Sequence, residues 1–205
     1  LFYLLILCFC LISSAKLIDK NTFRTTFSSI FRIKKINKIY FIDSVIIHPL
    51  SSFLMILNFI FSFSISAYLI SCNYVTNENL YLYAIFASLC TISIPLVGVL
   101  FISSLLGEKN LQKNGLFITF RTFEFSGVFF LILNMIKLSS LIDENFFFFS
   151  TILFFILAYT HRSIKLSLKM GKSGFLWYHI ILYLCTLEIV PFAIIAKSFS
   201  KILIG

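Results

Sequence analysis

A chain of 205 residues that is 60% apolar and 12% charged has too little polar surface for an ordinary soluble domain, where those figures run near ~45–50% and ~25%. The same composition excludes a disordered chain, a collagen-like repeat and a disulfide scaffold. Lys and Arg outnumber Asp and Glu by 17 to 8, and at roughly 20 residues per membrane-spanning helix the apolar content has room for about six spans.

The first apolar stretch, residues 1–18, carries no charge before Lys16. Ser13-Ser14-Ala15 has the small side chains of a signal-peptide cleavage site, but no basic region precedes the stretch. Cleavage there would leave Lys16, Lys20, Arg24, Arg32, Lys34, Lys35 and Lys38 on the far side of the membrane, against the cytoplasmic preference of basic residues. The stretch is therefore expected to be a transmembrane helix. All of these but Lys16 lie in the longest polar segment, 19–48. There Phe23, Phe27, Ile30 and Phe31 share one helical face while Ile33, Ile36 and Tyr40 share another, so the apolar stripe jumps near Arg32. Two short interfacial helices fit this pattern, held to the lipid bilayer by basic charges worth up to about 1 kcal/mol each. The same charges suit RNA, but neither a stacking motif nor a nucleic-acid fold accompanies them, so no nucleic-acid partner is expected.

Five further apolar stretches follow at 50–71, 80–106, 116–138, 146–165 and 175–196. Helices of these lengths cross ~30 Å of hydrocarbon at about 1.5 Å per residue. The fifth reaches that length only if Arg162 and Lys165 extend to the headgroups along their apolar stems. Pro49 stands where the second span begins, at a position where its missing N–H costs nothing. Pro95 and Pro191 fall inside spans and are expected to kink them. The fold class expected is an all-α membrane protein: six transmembrane helices in one polytopic domain over residues 1–205, with a basic interfacial helical segment between the first two.

Fourteen of the 17 Lys and Arg fall on one side of that arrangement: the seven named above, then Lys109, Lys113 and Arg121, then Arg162, Lys165, Lys169 and Lys172. Lys137, Lys197 and Lys201 fall on the other. The basic-rich side is then cytoplasmic and both termini lie outside. Trp177 and Tyr178 at one interface, with Tyr81 and Tyr83 at the other, agree with this placement.

Ionisable residues inside spans are costly, so function is sought among them first. Arg121 and Glu124 in the fourth span are three apart and hence neighbours on one face. Local neutralisation, with Arg121 reaching to the cytoplasmic interface, is the simplest expectation. Glu188 in the sixth span lies roughly 20 Å deep, where an isolated carboxylate takes up a proton unless it pairs across helices with Arg121. Pro191 frees a backbone carbonyl near Leu187, and a carboxyl beside an unwound turn is one way in which transporters bind ions. A kink satisfied by neighbouring helices is the commoner case.

The remaining motifs carry little chemistry. Cys8, Cys10, Cys72, Cys90 and Cys185 have neither disulfide nor zinc spacing. His48, His161 and His179 fall near cytoplasmic ends with no two on one helix face, so no metal and no cofactor are expected. Gly171-Lys172-Ser173 looks like the end of a phosphate loop, but Leu166 stands where that motif needs glycine and no strand precedes it. The 27 Phe, including the run from Phe146 to Phe149, accompany abundant Ile, Lys and Asn, all encoded by A/T-rich codons. They read as lipid-facing or packing residues rather than a ligand stripe.

The string Tyr183-Leu184-Cys185-Thr186-Leu187-Glu188-Ile189-Val190-Pro191, followed by Lys197, resembles the C-terminal signature of an uncharacterised Bacteroidota membrane family, domain of unknown function 4271. His48-Pro49-Leu50-Ser51-Ser52 resembles the start of that family's second span, and Arg121 stands where its fourth-span arginine does. The resemblance covers nearly the whole chain and implies a multi-pass inner-membrane protein of a Gram-negative envelope, so that termini outside means termini in the periplasm. It brings no catalytic assignment. The reading preferred is a non-catalytic subunit or assembly factor of an envelope complex, with other membrane proteins as partners, because the loops are small and catalytic motifs are absent. The alternative is a small transporter or proton-coupled component using Glu188 and the Arg121–Glu124 pair. A membrane-embedded enzyme acting on lipid or isoprenoid substrates comes third, supported only by scattered His and Glu.

Overall fold

A computed structural model of the chain describes residues 2–21, 23–24, 26–27, 49–72, 79–105, 107 and 109–172. They form five helices: α1 (Phe2–Ile18), α2 (Pro49–Ser71), α3 (Leu80–Leu105), α4 (Lys109–Leu138) and α5 (Glu144–Lys172). No strand occurs among the described residues. Apolar runs of this length bond their own backbone only as helices, which is what a hydrocarbon environment demands. Four of the helices are long and apolar enough to cross a membrane: α2, α3 to Ser104, α4 from Gln112 and α5 to Leu168. α1 is equally apolar but has 17 residues. These are the features of a membrane-embedded helical protein. The sixth predicted span, with Glu188 and Pro191, lies outside the described residues, as do Arg32, Lys34, Lys35 and Lys38 of the basic segment.

Helix boundaries follow local chemistry. Pro49 opens α2, where no intrahelical partner for its N–H is needed. α3 runs unbroken through Pro95. Gly107, at a φ of 65°, turns the chain between α3 and α4 in a conformation that a side chain would strain. α4 begins at Lys109 rather than at 116, and α5 runs to Lys172 rather than 165. Both extensions are polar turns that apolar counting left out.

Packing pairs fix the directions. α1 runs antiparallel to α2, as the pairs Ala15–Ser51 and Cys8–Ser62 show. α2 and α4 run parallel, meeting at Ser52–Glu124, Phe59–Gly127 and Ser66–Asn134. α5 returns antiparallel to α4 through Lys137–Glu144, Phe129–Phe154 and Thr119–Arg162. α2 and α4 are the two central helices: they pack on each other and both on α3, α2 also on α1 and α4 also on α5. α4 buries 61% of its spanning window, against 17% for α5.

Phe59, Ile92, Phe123, Phe130, Leu133 and Phe147 form the main apolar cluster, and Leu5, Cys8, Ile65 and Leu131 a second one against α1. Phenylalanine does both jobs the composition suggested. The Phe129 and Phe154 rings stack at 3.6 Å, while Phe146 and Phe149 point outward and Phe147 inward from the same helical turn.

Candidate functional site

The spacing of Arg121 and Glu124 places both on the face of α4 that meets α2 and the connection leaving α1. Arg121 Nη1 lies 2.6 Å from Glu124 Oε2. The same oxygen accepts a hydrogen bond from the Thr26 hydroxyl at 3.0 Å, and Thr26 Oγ1 accepts from Arg121 Nη1 at 3.2 Å. Ser52 on α2 donates to the other carboxylate oxygen, Oε1. All but Ser52 are buried, Glu124 completely. Phe117 lies beneath the guanidinium, 5.4 Å from its carbon, and the Phe27 ring meets Phe125 edge-on at 5.1 Å. Three elements are thus joined at one carboxylate, whose two oxygens take up three protein donors. Arg121 is turned into protein rather than out to an interface.

The depth of this cluster depends on which helix measures it. Glu124 stands roughly 18 Å beyond Gln112 on α4, but its partner Ser52 is only about 5 Å past Pro49 on α2. The parallel register reconciles the two, because the first three turns of α4 overhang the start of α2. Those turns carry Lys109, Asn110, Gln112, Lys113 and Asn114, and the cluster stands beside the N-terminal end of α2.

A second buried cluster joins α5 to α3 and α4. Arg162 on α5 is 1% exposed. Its Nε donates to Thr119 Oγ1 on α4 at 3.0 Å and its Nη2 to the Pro95 carbonyl on α3 at 3.4 Å. Its guanidinium carbon lies 5.4 Å from the centre of the Tyr159 ring. Lys165, one turn on, is also buried. This corrects the expectation that Arg162 and Lys165 reach outward to headgroups. α3 and α4 continue past this level, with Val99 against Gly115 and Gly115 near Leu166, so protein stands where headgroups were expected.

Between α1, α2 and α4 runs a polar seam that the sequence reading passed over. Ser51, Met55, Asn58, Ser62 and Ser66 recur at helical spacing on the buried face of α2. Ser66 donates to Asn134 Oδ1 and Asn134 Nδ2 to the Ser62 carbonyl, each at 2.8 Å. Ser62 also reaches Asn58 and Cys8, while Asn58 Nδ2 has no partner among the described residues. Small residues set this spacing, and a Cβ on Gly127 would stand 2.8 Å from the Phe59 Cα. The signal was present as a serine and asparagine stripe at helical spacing.

Lys16 in the last turn of α1 and Lys20 and Arg24 beyond it are exposed. At the opposite end of the bundle a cleft of about 260 Å³ is lined by Leu69, Ile70, Phe147 and Phe148 beside the Lys137–Glu144 pair. That is below the ~300–1,000 Å³ of a small-molecule site. Among the described residues no three His, Cys, Asp or Glu side chains come together as metal ligands. Neither the curated proteins nor the solved structures contain a match to the chain. Residues 1–199 match the family described as Domain of unknown function (DUF4271), and the chain belongs to that family.

Proposed function

We propose that this protein is a non-catalytic subunit or assembly factor of an envelope complex, crossing the inner membrane six times with both termini in the periplasm. The observation that carries this reading is the use made of the intramembrane charge. Glu124 joins Arg121 of its own helix to Thr26 and Ser52 of two other elements, which is the work of a clasp rather than of a reactive group. The seam of Ser and Asn between α1, α2 and α4 is likewise spent on helix packing. A rigid bundle of this kind presents its broad apolar faces to lipid and to other membrane proteins, while the exposed Lys16, Lys20 and Arg24 meet anionic headgroups.

Affinity purification in mild detergent, followed by mass spectrometry, tests the proposal: a membrane protein recovered in near-stoichiometric amount is expected, and recovery of the chain alone would refute it. Fusion of a reporter active only in the cytoplasm to the C-terminus is expected to give no signal, and a strong signal would overturn the orientation. A small transporter or proton-coupled component using Glu188 and the Arg121–Glu124 pair is the second reading, favoured by the complete burial of the Glu124 carboxylate. Under it, Glu188→Gln abolishes a growth phenotype while leaving protein level and partner recovery intact.

A further inference from the structure

The cleft of about 260 Å³ at the end of the bundle opposite Lys16 combines apolar walls with two opposite charges. Ser66 meets Asn134 across the parallel helices α2 and α4, which sets Leu69 level with Lys137. Lys137 is level in turn with Glu144 across the antiparallel helices α4 and α5. Leu69, Ile70, Lys137 and Glu144 therefore frame the mouth, and Phe147 and Phe148 stand one turn deeper on α5.

The two charges differ in depth. Side chains on a helix lean toward its N-terminus, and α4 and α5 run in opposite directions, so Lys137 leans into the bundle and Glu144 leans out of it. Their exposures agree, at 20% for the Lys137 side chain and 63% for that of Glu144. The two heads are 3.9 Å apart, too far for a hydrogen bond. Among the described residues no acceptor lies within hydrogen-bond reach of the Lys137 ammonium, although it carries three donors. Asp143 and Glu144 are both exposed at the rim.

A membrane phospholipid carries its groups in the same order: hydrocarbon, then phosphate, then the end of the headgroup. Three helices that are long and apolar enough to cross a membrane, α2, α4 and α5, meet at this cleft, which places it at headgroup level. A volume below that of a small-molecule site suffices for a phosphate and a short amine arm, with the acyl chains left in the bilayer beside the exposed Phe146 and Phe149. The inner ammonium suits the phosphate. The two outer carboxylates repel an anionic headgroup and attract a cationic one. A quaternary choline has no N–H to give them, whereas a primary ammonium makes charge-assisted hydrogen bonds.

We infer that this cleft seats one phospholipid with a primary-amine headgroup, its phosphate on the Lys137 ammonium and its own ammonium on the Glu144 carboxylate. Leu69, Ile70, Phe147 and Phe148 cover the carbons nearest the phosphate. The seat requires only a headgroup layer at this end of the bundle, so it holds in either orientation and with or without a protein partner.

The full chain, purified in detergent, is offered equal amounts of ethanolamine, choline and glycerol phospholipids with identical acyl chains, and native mass spectrometry reads which is retained. One ethanolamine lipid per chain is expected, at least about fivefold over either competitor; equal retention, or preference for choline or glycerol, overturns the inference. Lys137→Gln is expected to lower that retention at least about fivefold, and Glu144→Lys to transfer the preference to the anionic glycerol lipid. Lys16→Gln, at the other end, is expected to change neither. An exposed pair at this distance contributes little to stability, so all three variants should melt with the parent; retention unchanged in Lys137→Gln overturns the inference. A second measurement needs no variant: an ethanolamine lipid with a photoreactive group beside its glycerol should label peptides spanning residues 137–148, and labelling spread along the chain or confined to the Lys16 end overturns the seat. A chain that fails to float with vesicles lacks the headgroup layer altogether and overturns the inference together with the membrane reading on which it rests.

Discussion

Gly127→Ala probes the closest approach of two helices in the bundle. The added Cβ would lie 2.8 Å from the Phe59 Cα and 2.9 Å from its nitrogen, both backbone atoms of α2 that cannot turn aside. Carbon atoms rest at about 3.5–4.0 Å, so α2 and α4 must part by roughly 0.7–1 Å, and a gap of that size forfeits a quarter to a half of each dispersion contact across it. The parting also stretches the two 2.8 Å bonds of Asn134 to Ser66 and to the Ser62 carbonyl. Overpacking of this kind costs about 1–3 kcal/mol, and a share of the bonds brings the expected loss to about 2–4 kcal/mol. Gly115→Ala is the internal control: its nearest neighbour, at 2.6 Å, is the Val99 Cγ1 methyl, which a change of rotamer can move, for a cost under about 1 kcal/mol. Thermal unfolding followed by circular dichroism in detergent should then show a fall of roughly 5–12 °C for Gly127→Ala and a much smaller one for Gly115→Ala. Equal shifts for the two, or a fall of less than about 2 °C at Gly127, would refute the argument from backbone approach.

Glu124→Gln leaves Arg121 buried without a carboxylate and is expected to cost about 3–5 kcal/mol, while Arg121→Met combined with Glu124→Met costs clearly less than the two single changes added together; a double-mutant cycle on the same melting assay measures the difference, and strict additivity would deny the coupling. Asn134→Leu breaks two good bonds across the α2–α4 seam and should lower stability by about 1–2 kcal/mol. Asn58→Leu, by contrast, removes an amide nitrogen that has no partner among the described residues and gives up one 3.3 Å bond from Ser62, so it should cost less than about 1 kcal/mol. A larger loss at Asn58 than at Asn134 would show that the seam has been misread.

The sequence made the helices legible where a long apolar run ended sharply: the runs at 50–71, opened by Pro49, and 80–106 match α2 and α3 within a residue. Apolar counting failed at the polar first turns of α4 and the last turns of α5, because a helix supported by neighbours continues past the point where its side chains stop being hydrophobic. The pairing of Arg121 with Glu124 could be foreseen from their spacing alone, which is a local property. Their third and fourth partners could not, since Thr26 and Ser52 come from elements 98 and 72 positions away. Arg162 was misplaced for a related reason. Its surroundings are set by how far α3 and α4 overhang, and periodicity within α5 carries no information about that. The Ser and Asn stripe of α2 was a local signal that was simply not weighed, having been eclipsed by the abundance of Phe.

The clasp at Glu124 also orders the making of the protein. A helix bearing Arg121 and Glu124 is a poor guest of lipid on its own, since the bonds that satisfy its carboxylate come from Thr26 and Ser52, which are synthesised earlier. α1, its connection and α2 must therefore already be in the bilayer when α4 leaves the insertion channel, and they form the surface onto which it is released.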